Sequence, residues 1–156
     1  MPQHREHRHM PYTAQQIYDL VADVARYPEF LPWTAAARIR SRKPIDGGEE
    51  LDADLVISFK VFRERFGSRV QLYPDAGRID TAYIDGPFKH MRSYWQMQDN
   101  PEGGCVVDFA VDFEFRNPVL QKLIGVVFDQ AMRRVVAAFE ARALALYGQP
   151  GQRAAQ

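Results

Sequence analysis

The chain has 156 residues, 46% of them hydrophobic, and its 20 basic and 20 acidic side chains cancel. This predicts one domain with its own core, and it excludes a global basic field for nucleic acid, leaving only local patches. The single cysteine, Cys105, excludes an internal disulfide and a cysteine-cluster metal site.

The N-terminal MPQHREHRHMPY lacks the apolar run of a secretory signal. No stretch approaches the roughly 20 apolar residues of a membrane span. The expected location is the cytoplasm. Residues 4–9 are a candidate first strand. A helix then begins at Thr13, which forms a capping box with Gln16, while Tyr12 and Ile17 are placed to form a hydrophobic staple. Ile17, Leu20, Val21 and Val24 give its apolar stripe. YPEFLPW (27–33) follows, dense in large apolar side chains; Pro28 and Pro32 argue against a helix or a central strand there.

After Trp33 the hydrophobic period changes to two. Strands are expected near 35–43, 50–60, 64–73, 78–85, 88–98 and 104–115, separated by turn clusters at 44–48, 73–77, 85–87 and 100–104. A break near Lys60–Arg63 divides a run too long for one strand. Asn117 then caps a long helix with Pro118 in its first turn, and Gly148 marks its end. Such a helix of about 30 residues spans ~45 Å, so a curved sheet wrapped around it is the economical arrangement. Residues 149–156 read as a frayed tail beyond a domain of 1–148.

Short connections imply an antiparallel meander, and its parity sorts the turns into two ends. One end is polar and Gly-rich. The other gathers Phe30, Leu31, Trp33, Val61, Phe62, Phe88, Val119 and Leu120, ringed by Lys60, Arg63, Arg65, Lys89 and Arg116. Two readings stay open here. The apolar residues plug the end of the core, or they frame the mouth of an apolar ligand cavity that docks on an anionic membrane.

Four segments, YTAQQIYDLVADVARYPEFLPW, FKVFRERFGSRV, YIDGPFKHM and VDFEFRNPVLQKLIG, resemble the coenzyme Q-binding protein family, which also includes ribosome-association toxins, within the START-like polyketide cyclase/dehydrase superfamily. The resemblance covers roughly residues 4–148. It implies an α+β helix-grip fold: a curved antiparallel sheet of about seven strands around a long C-terminal helix, with an apolar tunnel between them. It also implies a carrier of ubiquinone-like prenylated lipids that supports respiration or quinone biosynthesis without chemistry on the quinone. Where the family commonly has Cys after PW, this chain has Thr34.

On this reading the quinone ring enters near Phe30, Trp33, Phe62 and Phe88, and Leu31 is a further candidate ligand contact. The tail runs between Phe59, Met91, Trp95, Phe109, Val111, Phe113 and the helix residues Leu120, Ile124 and Phe128. Lys60, Arg63, Arg65, Lys89 and Arg116 are the candidate contacts to membrane or ribosomal RNA. The expected partners are the quinone, an anionic membrane touched transiently, and a ribosomal subunit on the alternative reading; DNA is not among them.

Signs of catalysis are few. HREHRH places His7 and His9 on one strand face, where a surface metal is conceivable but a solvated edge strand is the simpler reading. His90 is a candidate base with no partner carboxylate evident from spacing. Asp108, Asp112 and Glu114 alternate with apolar residues, as solvent-side positions do. No phosphate loop, cofactor site or metal site is expected, and an aromatase or cyclase activity is the weakest alternative. Gly125, inside the long helix, suggests either a close approach to the sheet or an eased bend.

Overall fold

In the computed structural model, which describes residues 3–59 and 62–148, the strands are β1 (Gln3–Met10), β2 (Thr34–Ile45), β3 (Gly48–Phe59), β4 (Phe62–Tyr73), β5 (Arg78–Asp85), β6 (Phe88–Asp99) and β7 (Cys105–Phe115). They form one antiparallel sheet in the order β1-β7-β6-β5-β4-β3-β2. β2 to β7 make the expected meander, and β1 returns to pair with β7. The division of residues 50–73 is confirmed, with Phe59 and Phe62 as register partners; Lys60 and Val61 themselves lie outside the described residues. Register slips in β2, between β4 and β5 at Gly67, and after Phe88 are the local bends that let strands of this length curve. β2 and β1 are the two edges.

Helix α1 (Ala14–Ala22) starts as its sequence predicts: the Thr13 hydroxyl accepts from the Gln16 amide, and the Gln16 side chain returns the bond to the Thr13 amide. YPEFLPW corrects one expectation. Its first half is helical, in a 3-10 segment over Val24–Glu29 that contains Pro28. A segment of only two 3-10 turns tolerates the proline because few of its amides need an internal partner. The Tyr27 carbonyl then accepts from both Phe30 and Leu31 amides. The chain leaves this turn through Trp33, whose φ of 61° is left-handed. For an L residue that conformation costs about 1–2 kcal/mol. The Trp33 carbonyl accepts from the Ser58 amide at 2.8 Å, which ties the junction to β3.

Helix α2 (Pro118–Tyr147) begins where the Asn117 side chain accepts from the amides of Val119 and Leu120. It ends with the Gly148 amide bonded to Leu144. Leu120, Phe128, Val136, Phe139 and Ala143 point inward. Val119, counted among the apolar end, is 67% exposed. Gly125 is also exposed, and a methyl group there would meet nothing within 4 Å. The close-approach explanation for this glycine therefore fails.

Two apolar clusters hold sheet and helix together. The larger joins α1, the far half of α2 and the sheet around Leu51, Leu72, Ile79, Trp95, Met97 and Phe139. The smaller is aromatic: Phe66, Phe88, Phe113, Phe115, Leu120 and Phe128. Each large side chain buried in them contributes roughly 1.5–3 kcal/mol. Gly86 of DGPF serves the smaller cluster. Its φ is 136°, and a Cβ there would lie 2.8 Å from the Arg65 carbonyl, so only glycine lets this turn close over Phe66.

Candidate functional site

A cavity of about 270 Å³ separates the two clusters, enclosed by the concave face of the sheet and by α2. Side-chain size explains it. Across the middle of the sheet, inward positions carry small residues: Ala53 opposite Ser68, then Thr81, then Ser93 opposite Val111. Aromatic rows flank this strip, with Trp95 stacked on Phe109 at 4.3 Å on one side and Phe88 stacked on Phe115 at 4.6 Å on the other. α2 rests chiefly on α1, β1 and β7, so Ala131, Met132 and Val135 span the small strip and leave space beneath them.

Most of the residues expected at the site line this space. From YPEFLPW come Leu31 and Trp33; from the strands, Phe59, Phe88, Met91, Trp95, Phe109, Val111 and Phe113; from α2, Ile124 and Phe128. Three do not. Phe30 turns away to pack on Phe139 at 5.2 Å, under the Arg142 guanidinium. Phe62 and Leu120 pack behind the wall in the aromatic cluster. Leu31, Trp33, Ile57 and Phe59 are the half-buried members on the β2–β3 side. Trp33 meets the Phe59 ring edge-on at 5.9 Å, and the Arg134 guanidinium of α2 lies 5.3 Å over its indole. Phe88, expected at the mouth, is 3% exposed and sits deep.

The sequence reading overlooked the polar part of the wall. Ser68, Thr81 and Ser93 face the cavity. Each occupies an apolar phase of its strand: Ser68 lies between Phe66 and Val70, Thr81 between Ile79 and Tyr83, Ser93 between Met91 and Trp95. A hydroxyl at an inward parity position was the available signal. Thr34 also borders the cavity, with its hydroxyl directed at the Pro32 carbonyl. Tyr27, another wall residue, gives its hydroxyl proton to the Val21 carbonyl, and burial pushes its pKa up.

The cations expected around the mouth are mostly engaged elsewhere. Arg65 is on the outer face, paired with Asp54 at 2.5 Å and with Asp85 at 3.4 Å. Arg40 pairs with the same two carboxylates. Lys89 pairs with Glu114 at 3.1 Å, and Arg116 donates to the Phe88 carbonyl. Arg63 is exposed, and Lys60 lies outside the described residues. Hydrogen bonds from Arg40, with Arg65 adding to them, hold the Asp54 carboxyl down at about 2.

His90 faces outward, with Asp112 3.1 Å from its Nε2. The partner carboxylate exists, but the pair is outside the cavity. Asp108 and Glu114 are also outward, paired with His7 and Lys89. His7 and His9 stack edge-on along β1, while His4 is buried against Glu6 and Asp129 rather than solvated. Among the described residues no group of three or more metal-ligating side chains converges. Burial pushes the Cys105 thiol up to about 11, which makes it a weak nucleophile.

Residues 10–140 match the family described as polyketide cyclase / dehydrase and lipid transport. The chain is 39% identical over 137 residues to the ribosome association toxin RatA of Rickettsia prowazekii, covering 86% of this chain and 90% of that protein. It is 30% identical over 150 residues to the mitochondrial coenzyme Q-binding protein COQ10 homolog B of Xenopus laevis, covering 94% of this chain and 59% of that protein. Among solved structures it is similar to the 18 kDa protein CC1736 of Caulobacter crescentus, with a TM-score of 0.80, 32% identity, and coverage of 96% of this chain and 100% of that one. The Zhui aromatase/cyclase of a Streptomyces species shares the fold, with a TM-score of 0.80 at 16% identity over 96% of this chain and 98% of that chain.

Proposed function

The chain belongs to the polyketide cyclase/dehydrase and lipid-transport family, and from that premise we propose that it binds a prenylated quinone in the cavity and carries it unchanged. The observation that carries this reading is the cavity itself, whose wall is apolar apart from a few hydroxyls. Burial of a prenyl chain there is favourable by ~0.8 kcal/mol per methylene-sized group, a force that needs no catalytic residue. The wall holds no carboxylate, imidazole or thiol among the described residues, which supports binding without turnover. At about 270 Å³ the volume lies just below the range usual for ligand pockets, about 300–1,000 Å³. It suits a ring with the first units of a tail; a longer tail would leave past Leu31, Trp33 and Phe59. Among the described residues no helix is long and apolar enough to cross a membrane, so exchange with a bilayer would occur from its surface. Organic extraction of the purified protein followed by mass spectrometry tests this. A stoichiometric quinone is expected, and a protein that neither retains nor takes up quinone would overturn the reading.

A second reading is association with a ribosomal subunit. It is favoured by relatives of near-equal length named as ribosome association toxins, at 39% and 35% identity. Binding through phosphate contacts would weaken steeply with salt. Co-sedimentation with subunits across a salt series separates the two readings, since a lipid carrier shows no such salt-dependent pelleting.

A further inference from the structure

Resting on the quinone reading above, we infer that Ser68, Thr81 and Ser93 form the recognition point for the ligand's oxygen-bearing ring, and that the ring enters first and lies deep at mid-sheet. The sequence reading has the ring enter near the aromatic residues and the tail run between sheet and helix; the hydroxyl residues at mid-sheet argue for the ring lying deeper.

The three hydroxyls sit on adjacent strands. Thr81 directly opposes Ser93, and Ser68 is diagonal to Thr81, since Val70 opposes Thr81 and Ser68 opposes Tyr83. Opposed side chains of this kind lie about 5 Å apart and diagonal ones about 7–8 Å. Together they span roughly one six-membered ring with its substituents. Ser68 is only 1% exposed. All three line the cavity, and among the described residues no buried side-chain polar atom is left without a hydrogen-bond partner. Across the space stand Phe128, Met132 and Val135, which offer no oxygen or nitrogen acceptor on their side chains. A hydroxyl on an inward strand face adds less to burial than an apolar side chain of the same size. Three at neighbouring inward positions are accounted for by a ligand that accepts from them.

The same wall defines the ligand's chemistry. The inner wall around these residues carries no cation, and an anion there would be desolvated without compensation. The site therefore selects a neutral group with acceptor oxygens along one edge, such as a quinone with its carbonyl and alkoxy oxygens. It disfavours a fatty-acid carboxylate or a phospholipid head group. The flanking Trp95 and Phe109 supply ring faces beside the hydroxyls.

The test uses the full chain and three probes: a ubiquinone with two isoprene units, a fully alkylated benzene with the same tail, and palmitate. The wild type is expected to bind the quinone at least tenfold more tightly than the other two. The Thr81→Val, Ser93→Ala double substitution should weaken quinone binding about tenfold and leave the alkylbenzene unchanged. It should also match or exceed the wild-type Tm, and Ser93→Ala alone carries the test if the double variant does not fold. The chain has two tryptophans, which report ring depth. Quenching by the quinone should persist in Trp33→Phe, because Trp95 lies beside Ser93. Loss of quenching in Trp33→Phe, equal effects of the double substitution on quinone and alkylbenzene, or palmitate binding as tight as quinone would each overturn the inference while leaving an apolar-ligand cavity standing. A wild type that binds neither quinone nor alkylbenzene would overturn the carrier reading and this inference together.

Discussion

The two faces of the sheet solve opposite problems. On the convex face charges are dense and mostly answered: Arg69 meets Asp52, Arg42 meets Glu49, Lys43 meets Glu50, and Asp54 is shared by Arg38, Arg40 and Arg65. On the concave face polar groups are few, and three neighbouring hydroxyl residues line the cavity. A surface whose polar groups satisfy one another is finished as it stands. A surface that turns a few hydroxyl residues toward an apolar cavity is complementary to a ligand that can accept from them. The contrast separates the structural charges of the chain from its candidate site better than composition or net charge does.

The contrast can be broken from the concave side first. Phe139 is 1% exposed and its ring lies 5.1–5.5 Å from those of Trp95, Phe30 and Tyr27. Phe139→Ala is expected to cost about 3–5 kcal/mol in urea unfolding. On the convex face the largest effect belongs to Asp54. Asp54→Asn leaves three guanidiniums facing one another and should cost roughly 1–3 kcal/mol, between the values for exposed and buried pairs. Its pH dependence has a fixed sign. The folded carboxyl titrates near 2 against an ordinary 3.8, so the unfolded chain takes up the proton first on acidification. The contribution is complete above pH ~4 and is lost as the pH falls toward ~2. Thermal melts between those values should show a steeper acid loss for the wild type than for the Asn variant.

Trp33→Gly sharpens the comparison at its border. Relief of the left-handed φ of 61° offsets part of the lost packing, so stability should move by no more than about 1 kcal/mol, while bound lipid dissociates several-fold faster in a stopped-flow transfer assay. Outright unfolding of that variant would make the loop part of the core. The smallest effect is at Gly125, where the open surroundings predict that Gly125→Ala raises stability by up to about 1 kcal/mol, with lipid affinity unchanged.

Much of the fold was legible because its signals are local. The capping box, the Asn117-Pro118 start and the strand alternation in 105–115 each act within a few residues. The family followed from motifs spread along nearly the whole chain and is matched over residues 10–140. The cavity wall was legible in its aromatic members, since large apolar residues at inward phases announce themselves. Phe30, Phe62 and Leu120 were misplaced because meander parity assigns an end of the sheet, not the direction of a side chain. Ser68, Thr81 and Ser93 were missed because hydroxyls on strands read as solvent-side residues until register shows which way they point. The pairing of Arg65 with Asp54 and Asp85 was hidden for the same reason, since the partners come from neighbouring strands.

An open sheet also has rims, and β2 is one of them. It carries Arg38, Arg40, Arg42, Lys43 and Pro44, and its register slips twice against β3. A second chain approaching to extend the sheet would meet like charge, a missing amide and a bent edge. A protein that keeps an apolar interior accessible is at risk of sticking to its own copies. Here the border nearest the loop carries those features, so the cavity is not flanked by an inviting sheet edge.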